Sequence, residues 1–302
     1  MILSRFTFRS LVGGLALGAV FMFTSTTTSF AQTGDAPSSK AKDNPYLADN
    51  AAKQATNRSF YNPAPATAPA DRWSGLYVGG FAGLGVGRST ADTSTIYDGA
   101  GYFLTTSVAA INASGHQRLT PKNFTVGGQA GYNFQSGKWV YGAEADLGFL
   151  AGSNSASTTT TYPCCSPQTF TISQTIKNRW LFTARPRFGY STGKALIYAT
   201  GGLAMTGLNY TSTFTDNHAT ANESGGVNKT KLGWAGGGGI EYAFDDKWSF
   251  KGEYLYTGFG RSTTTSTNLS AFSTPLTFPT NIFTHSINYQ ENNFRFGVNY
   301  RF

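Results

Sequence analysis

A side-chain period of two, repeated in six separate segments, constrains this chain more than any other feature. Phe124, Val126, Ala130, Tyr132 and Phe134 share one face, opposite Thr125, Gln129 and Asn133. Trp139, Tyr141, Leu147 and Phe149 oppose Glu144 and Asp146, while Trp180, Phe182, Phe188 and Tyr190 oppose Thr183, Arg185 and Arg187. The alternation recurs over 234–244, 248–256 and 294–302. Successive side chains of a strand point to opposite sides of a sheet, so each segment reads as a β-strand with one apolar and one polar face. Segments 73–88 and 195–208 are strand-like but apolar on both faces, which leaves their orientation open and brings the count to eight strands.

Composition agrees. Charged residues make up 13% of the chain, against about 25% in soluble domains. Phe, Tyr and Trp number 24, 16 and 5, with 36 Gly, a mixture that suits strands and close backbone approach rather than helices. That aromatic density excludes disorder over most of the chain. Nothing after residue 31 approaches the ~18 consecutive apolar residues of a spanning helix.

One apolar and one polar face fits either a soluble antiparallel sheet or a membrane barrel whose apolar side meets lipid. Connection lengths decide. Those after the second, fourth and sixth strands are the tight turns 135–137, 191–193 and 245–247. Those after the first, third, fifth and seventh span about residues 89–122, 151–176, 209–229 and 262–286. Strict short/long alternation puts every tight turn at one end and every long loop at the other, as in outer-membrane barrels. The expected fold is therefore all-β: an eight-stranded antiparallel, up-and-down transmembrane β-barrel with short periplasmic turns and long extracellular loops. Closure leaves no open edge, which in hydrocarbon would cost several kcal/mol per unpaired backbone group. Pro186 lacks a ladder donor and requires a bulge or a locally lost hydrogen bond. Trp73, Trp139 and Trp248 are expected at the periplasmic rim, and Trp180 and Trp234 towards the outer rim, as interfacial girdles.

The barrel is expected over 73–302. Arg5 and Arg9, the apolar run Leu11 to Phe23 and the small-x-small site Ser29-Phe30-Ala31 mark 1–31 as a secretory signal peptide. Its removal takes two positive charges from the formal net charge of +8, leaving +6. Residues 32–72, rich in Pro and Ala, read as a flexible periplasmic linker.

Several segments carry a resemblance: Trp73-Ser-Gly-Leu-Tyr-Val-Gly-Gly, the run from Gly236 to Tyr256 around Asp245-Asp246-Lys247, and the ending Phe296-Gly-Val-Asn-Tyr-Arg-Phe302. Together they resemble the small outer-membrane immunogenic proteins of alphaproteobacteria, which are built like OmpA-type and opacity-type eight-stranded barrels. The resemblance covers about residues 73–302 and leaves the four long loops unmatched. It implies location and architecture more firmly than activity. It also implies that the terminal pattern Phe294, Phe296, Val298, Tyr300 and Phe302 is the signal read by the outer-membrane assembly machinery.

Function then rests on the lumen and the loops. The inward face is expected to carry Glu144, Asp146, Arg185, Arg187, Lys231, Glu241, Lys251, Glu253, Arg295 and Arg301, six positive and four negative charges. In a bore only wide enough for side chains these must pair, giving a salt-bridged plug, with a narrow, slightly anion-preferring pore as the alternative. His116, His218 and His285 are expected in extracellular loops, where an imidazole could ligate haem beside Phe272, Phe278 and Phe283. The resemblance permits haem binding, but no second ligand pattern accompanies these histidines. His285 and Ser286 invite a nucleophile–base reading, yet neighbours on a strand face opposite ways. Cys164 and Cys165 have no metal-ligand spacing and read as exposed loop thiols, a vicinal disulfide or an interchain bond. Residues 151–176 and 262–286 contain no Lys, Arg, Asp or Glu, so a nucleic-acid interface, which needs basic patches, is not expected there. The resulting expectation is a non-catalytic surface barrel without cofactor or metal, contributing to membrane integrity. Its partners are outer-membrane lipid, the assembly machinery, and host or environmental ligands at the loops; oligomeric state is left open.

Overall fold

The computed structural model describes residues 71–302; the expected signal peptide and residues 32–70 lie outside the described residues. Eight long strands form a closed antiparallel ring: β1 (Gly75–Thr95), β3 (Lys122–Ser136), β4 (Trp139–Ala151), β6 (Thr169–Ser191), β7 (Ala195–Asp216), β8 (Asn222–Ala243), β9 (Trp248–Ser266) and β12 (Phe283–Arg301). Each pairs with the next, β8 with β9, and β12 returns to β1 from Tyr77↔Arg301 to Thr95↔Phe283. The shorter elements are β2 (His116–Leu119), β5 (Ser153–Thr161), β10 (Ser270–Ala271), β11 (Leu276–Thr277) and one helix, α1 (Thr105–Ser114).

The apolar face expected from the alternation is turned outwards. Phe124, Phe149, Phe188, Leu203, Trp234, Phe250 and Phe296 are exposed on the barrel wall, where lipid covers them. The open orientation of the first strand resolves with Leu76, Val78, Leu84 and Val86 outside and Tyr77 and Phe81 inside. In β7, Ile197 and Leu203 face out while Leu196, Tyr198, Ala204 and Leu208 face in. Pro186 behaves as expected: β6–β7 pairing skips from Ala184↔Leu203 to Arg187↔Thr200, and Thr200 Oγ1 donates to the Pro186 carbonyl at 2.9 Å.

Two expectations are corrected. Trp73 is fully buried at the periplasmic end instead of lying in a girdle. It stands just before β1, donates Nε1–H to the Gly193 carbonyl at 3.1 Å, and lies beneath the Arg301 guanidinium, 4.7 Å from the ring. Most of the four long connections are also strand. β6, β7 and β8 each run 22 or 23 residues, roughly twice the 9–11 that cross a bilayer. The Thr- and Ser-rich stretches are β-branched at their threonines and alternate with buried Phe170, Ile172, Ile176 and Phe214, so they continue the barrel beyond the membrane. On the outer side of that extension, hydroxyls of β5 and β6 pair across the ladder: Ser155 with Thr175 at 2.8 Å, Ser157 with Ser173 at 2.9 Å and Thr159 with Thr171 at 2.8 Å.

Candidate functional site

The lumen is filled by side chains, and inward glycines make the room for them. A Cβ on Gly131 would stand 2.4 Å from the Tyr77 hydroxyl, and one on Gly127 would stand 2.6 Å from the Phe81 ring. Tyr77 thereby reaches Glu144 on β4 and donates to Oε2 at 2.7 Å.

Around Glu144 lies a buried ion network. Lys251 Nζ stands 2.9 Å from Glu144 Oε1, Arg185 Nη2 3.1 Å from the same oxygen, and Arg187 Nη1 3.5 Å from Oε2. Arg185 also reaches Asp146 at 2.8 Å and Glu253 at 3.2 Å. Arg295 pairs with Asp146 at 2.9 Å and Arg187 with Glu241 at 2.9 Å. Neutral donors complete the carboxylates: Tyr198 to Glu253 at 3.0 Å, and Ser249 and Asn299 to Glu241 at 2.5 and 2.9 Å. Four carboxylates thus meet four cations in this network, while Glu291, higher on β12 and also fully buried, meets no cation among the described residues and is held by Asn123 at 3.0 Å and Tyr289 at 2.6 Å. These eight come from the ten residues expected on the inward face. Arg301 sits apart at the periplasmic mouth, donating to the Arg72 carbonyl.

Lys231 is a correction. It shares the inward parity, but β8–β9 pairing reaches only to Trp234↔Gly258, and beyond that level its long stem carries Nζ to the exposed Arg261 carbonyl at 2.9 Å.

Above the charges the interior changes character twice. An apolar layer of Leu150, Leu181, Leu208, Val227, Phe259, Ile287 and Tyr289 fills the next level. Over it lies a polar layer around His285, which is fully buried on β12 and not in a loop. Its Nδ1 faces Thr93 Oγ1 at 3.2 Å, and Nε2 faces both Ser266 Oγ at 2.9 Å and Glu223 Oε1 at 3.0 Å. A Cβ on Gly225 would collide with the His285 ring at 2.4 Å, so glycine is what admits the imidazole there. Thr93 and Glu223 thus flank the ring on its two nitrogens, the hydroxyl–imidazole–carboxylate order of a relay, but all three side chains are buried at 2% exposure or less inside the barrel. Ser286 points the other way, its Oγ 3.4 Å from Asp92, as strand geometry requires. Sequence reasoning missed Glu223 and Ser266 as partners of His285; only strand register brings them together.

An aromatic cap closes the extracellular end. Phe103, Ile111 of α1, Tyr162, Phe170, Phe214 and Phe283 pack into one cluster. On its outer side Tyr102, Tyr162, Phe272, Phe278, His218 and a Cys164–Cys165 disulfide line a pocket of about 320 Å³. The two cysteines are therefore bonded to each other and are not free thiols. Tyr102 and Tyr162 both donate to Asp216 Oδ2, at 2.7 and 2.9 Å. Burial, followed by that carboxylate, pushes both hydroxyls well above the usual tyrosine range. Of the three histidines only His218 meets the aromatic residues expected beside it in an accessible place, Phe272 and Phe278. Phe283 is buried and stacks on His285, while His116 lies on β2, paired with Asp92 on the outer wall. The three do not converge.

The terminal strand shows the expected face: Phe294, Phe296, Val298 and Phe302 are exposed. Tyr300 packs edge-on against Trp248 at 5.0 Å.

Comparison with known proteins agrees with this architecture. The 31 kDa outer-membrane immunogenic protein of Brucella melitensis biotype 1 is 30% identical over 243 residues, covering 79% of this chain and 88% of its own. The 22 kDa outer membrane protein of Rhizobium leguminosarum bv. viciae is 27% identical over 195 residues, covering 63% and 66% respectively. Among solved structures, OprG from Pseudomonas aeruginosa aligns at 12% identity with a TM-score of 0.42, over 76% of this chain and 96% of its own. The family model described as outer membrane protein beta-barrel domain matches residues 59–302. The chain belongs to that family, as an outer-membrane protein of the small alphaproteobacterial immunogenic type.

Proposed function

We propose that this barrel is a sealed, non-catalytic element of the outer membrane that reinforces the bilayer and presents a rigid surface outside it. The observation that carries this reading is the lumen: paired charges, then an apolar layer, then a polar layer, then an aromatic cap. Each layer closes the bore by a different interaction, so ions crossing it would have to displace buried salt bridges and then traverse a hydrocarbon-like level. Planar bilayers test this directly. Purified protein should give little or no steady conductance, and cells lacking it should become more permeable to detergents and bulky antibiotics. Stable channels, or an unchanged envelope, would remove the support.

The loop pocket favours a second reading, capture of a small ring-shaped ligand at the surface. Its walls are aromatic and its tyrosine hydroxyls are already engaged by Asp216, leaving His218 as the polar group at hand. Haem would rest on that one imidazole, because His116 and His285 lie elsewhere. Haemin titration of intact protein against a His218→Ala variant checks this reading: a His218-dependent Soret shift supports it, and its absence counts against haem.

A further inference from the structure

Just above the lipid-facing wall, the outer surface of β1, β2, β3 and β12 carries cations with no counterion. Strand register sets them in rising rows. Lys122 lies beside Val86, itself opposite Asn292; Arg88 lies opposite Gln290; and Arg118 and Asn288 flank Thr90. Directly below in the same columns stand exposed Leu84, Phe124 and Phe294, so the rows sit where the apolar band ends.

Arg88, Arg118 and Lys122 are exposed, and their side chains meet no carboxylate among the described residues. Arg88 and Arg118 line one groove of about 540 Å³ with Ser89, Thr90, Thr120, Asn288 and Gln290. The carboxylate nearest in register on this outward face, Asp92 one row higher, is already engaged by His116, and Arg261 Nη2 lies 3.8 Å from it. Glu291 on β12 points inward, where Asn123 and Tyr289 donate to it. Two planar guanidinium forks beside an ammonium, hydroxyls and side-chain amides form a donor set for an oxyanion that accepts several hydrogen bonds at once.

We propose that this groove docks the phosphate groups of a phosphorylated glycolipid in the outer leaflet. Height selects the lipid over a free anion. A headgroup phosphate lies at the top of the hydrocarbon, and its acyl chains would run down the columns of Leu84, Val86, Phe124 and Phe294. A soluble phosphate would gain only the upper half of these contacts. The inference stands on the outer wall and does not depend on the lumen being sealed, so conductance and lipid binding fail or succeed separately.

The test uses the folded full chain in phosphatidylcholine nanodiscs doped with bis-phosphorylated lipid A, with retained lipid counted by native mass spectrometry. Wild type should prefer bis-phosphorylated over dephosphorylated lipid A by about tenfold or more, the effect of two or three cations at a membrane surface. R88Q/R118Q should lose that preference, and R88K/R118K should keep part of it. K177Q/R179Q, which removes the same charge from the outer face of β6, should leave it nearly intact. Millimolar inorganic phosphate should not displace the lipid. Equal retention of the two lipid A forms by wild type overturns the proposal without reference to any variant. So does equal loss from the β6 variant, which would mean a uniform positive belt, or displacement by inorganic phosphate, which would mean a simple anion site.

Discussion

Glu144→Gln isolates the electrostatics of the lumen, because the amide keeps the shape of the carboxylate and opens no cavity. In the wild type, Glu144 is the shared partner of Lys251, Arg185 and Arg187, all buried. The substitution changes a balance of four cations and four carboxylates into four against three. Removing one side of a buried pair costs about 3–5 kcal/mol, since the remaining charge stays desolvated. The amide oxygen can still accept from Tyr77, which places the expected loss near the lower end, at about 3 kcal/mol. At ~1.4 kcal/mol per decade that is roughly a hundredfold in the unfolding equilibrium. Unfolding by guanidinium in phosphatidylcholine vesicles, followed by tryptophan fluorescence and heat-dependent gel mobility, reads it directly. Thr159→Val on the outer wall should stay within about 0.5 kcal/mol. Glu144→Gln combined with Lys251→Met restores the balance and should be less destabilised than the sum of the single changes by at least ~1 kcal/mol. A Glu144→Gln loss below ~0.5 kcal/mol would mean that the lumen solvates a lone charge well, and the sealed-bore reading would go with it.

Further expectations concern other levels of the barrel. Protease added to intact cells should cut only within the tips 96–104, 162–168, 217–221 and 267–282, because the remainder of each long connection is strand or helix; cleavage at 191–193 in sealed cells would reverse the assignment of sides. Deleting Phe302, which is 72% exposed, removes little packing, so refolded protein should remain nearly as stable while assembly in cells falls sharply. Normal surface levels of the truncated protein would refute the signal role. Tyr102 and Tyr162 have raised folded-state values, so the cap is stabilised below the ordinary tyrosine pKa of ~10 and loses that contribution as pH rises through the folded-state values. Absorbance titration near 295 nm of wild type against Asp216→Asn should differ by two tyrosines, Tyr102 and Tyr162, which resist ionisation in the wild type until the cap opens and move closer to the normal range in the variant.

The period of two was sufficient for six of the eight strands and their faces, because lipid imposes it across the bilayer; the segments 73–88 and 195–208, apolar on both faces, left their orientation open, and connection lengths set which end is which. Outside the bilayer the same period continues in Thr, Ser, Ile and Phe, and there polarity masked it: Ser153–Thr161 looks like a loop until its pairing with Thr169–Lys177 is seen. The eight networked lumen charges were legible because Asp, Glu, Arg and Lys on an otherwise apolar strand have nowhere else to go, whereas the buried Glu223 and Glu291 were not, because their polar neighbours hide the alternation. Lys231 escaped because side-chain parity says nothing about height, and two neighbouring strands can part above a given level. Trp73 misled for a related reason, since it precedes the first paired residue and its indole folds under the barrel. The environment of His285 depends on Glu223 and Ser266, far away in the chain, and no local pattern encodes that meeting.

The hydroxyl-paired wall of β5 and β6 has an immunological consequence. Antibodies approaching it meet Ser155, Ser157 and Thr159 beside Thr175, Ser173 and Thr171, every second residue of two strands, while Ile172 and Ile176 stay hidden. An epitope on this wall would be a lattice across strands and not a stretch of sequence. A synthetic peptide spanning 153–175 would offer both faces at once and raise sera that recognise intact cells poorly. Escape substitutions would accumulate at alternate positions, because those are the ones an antibody can see and the barrel can spare.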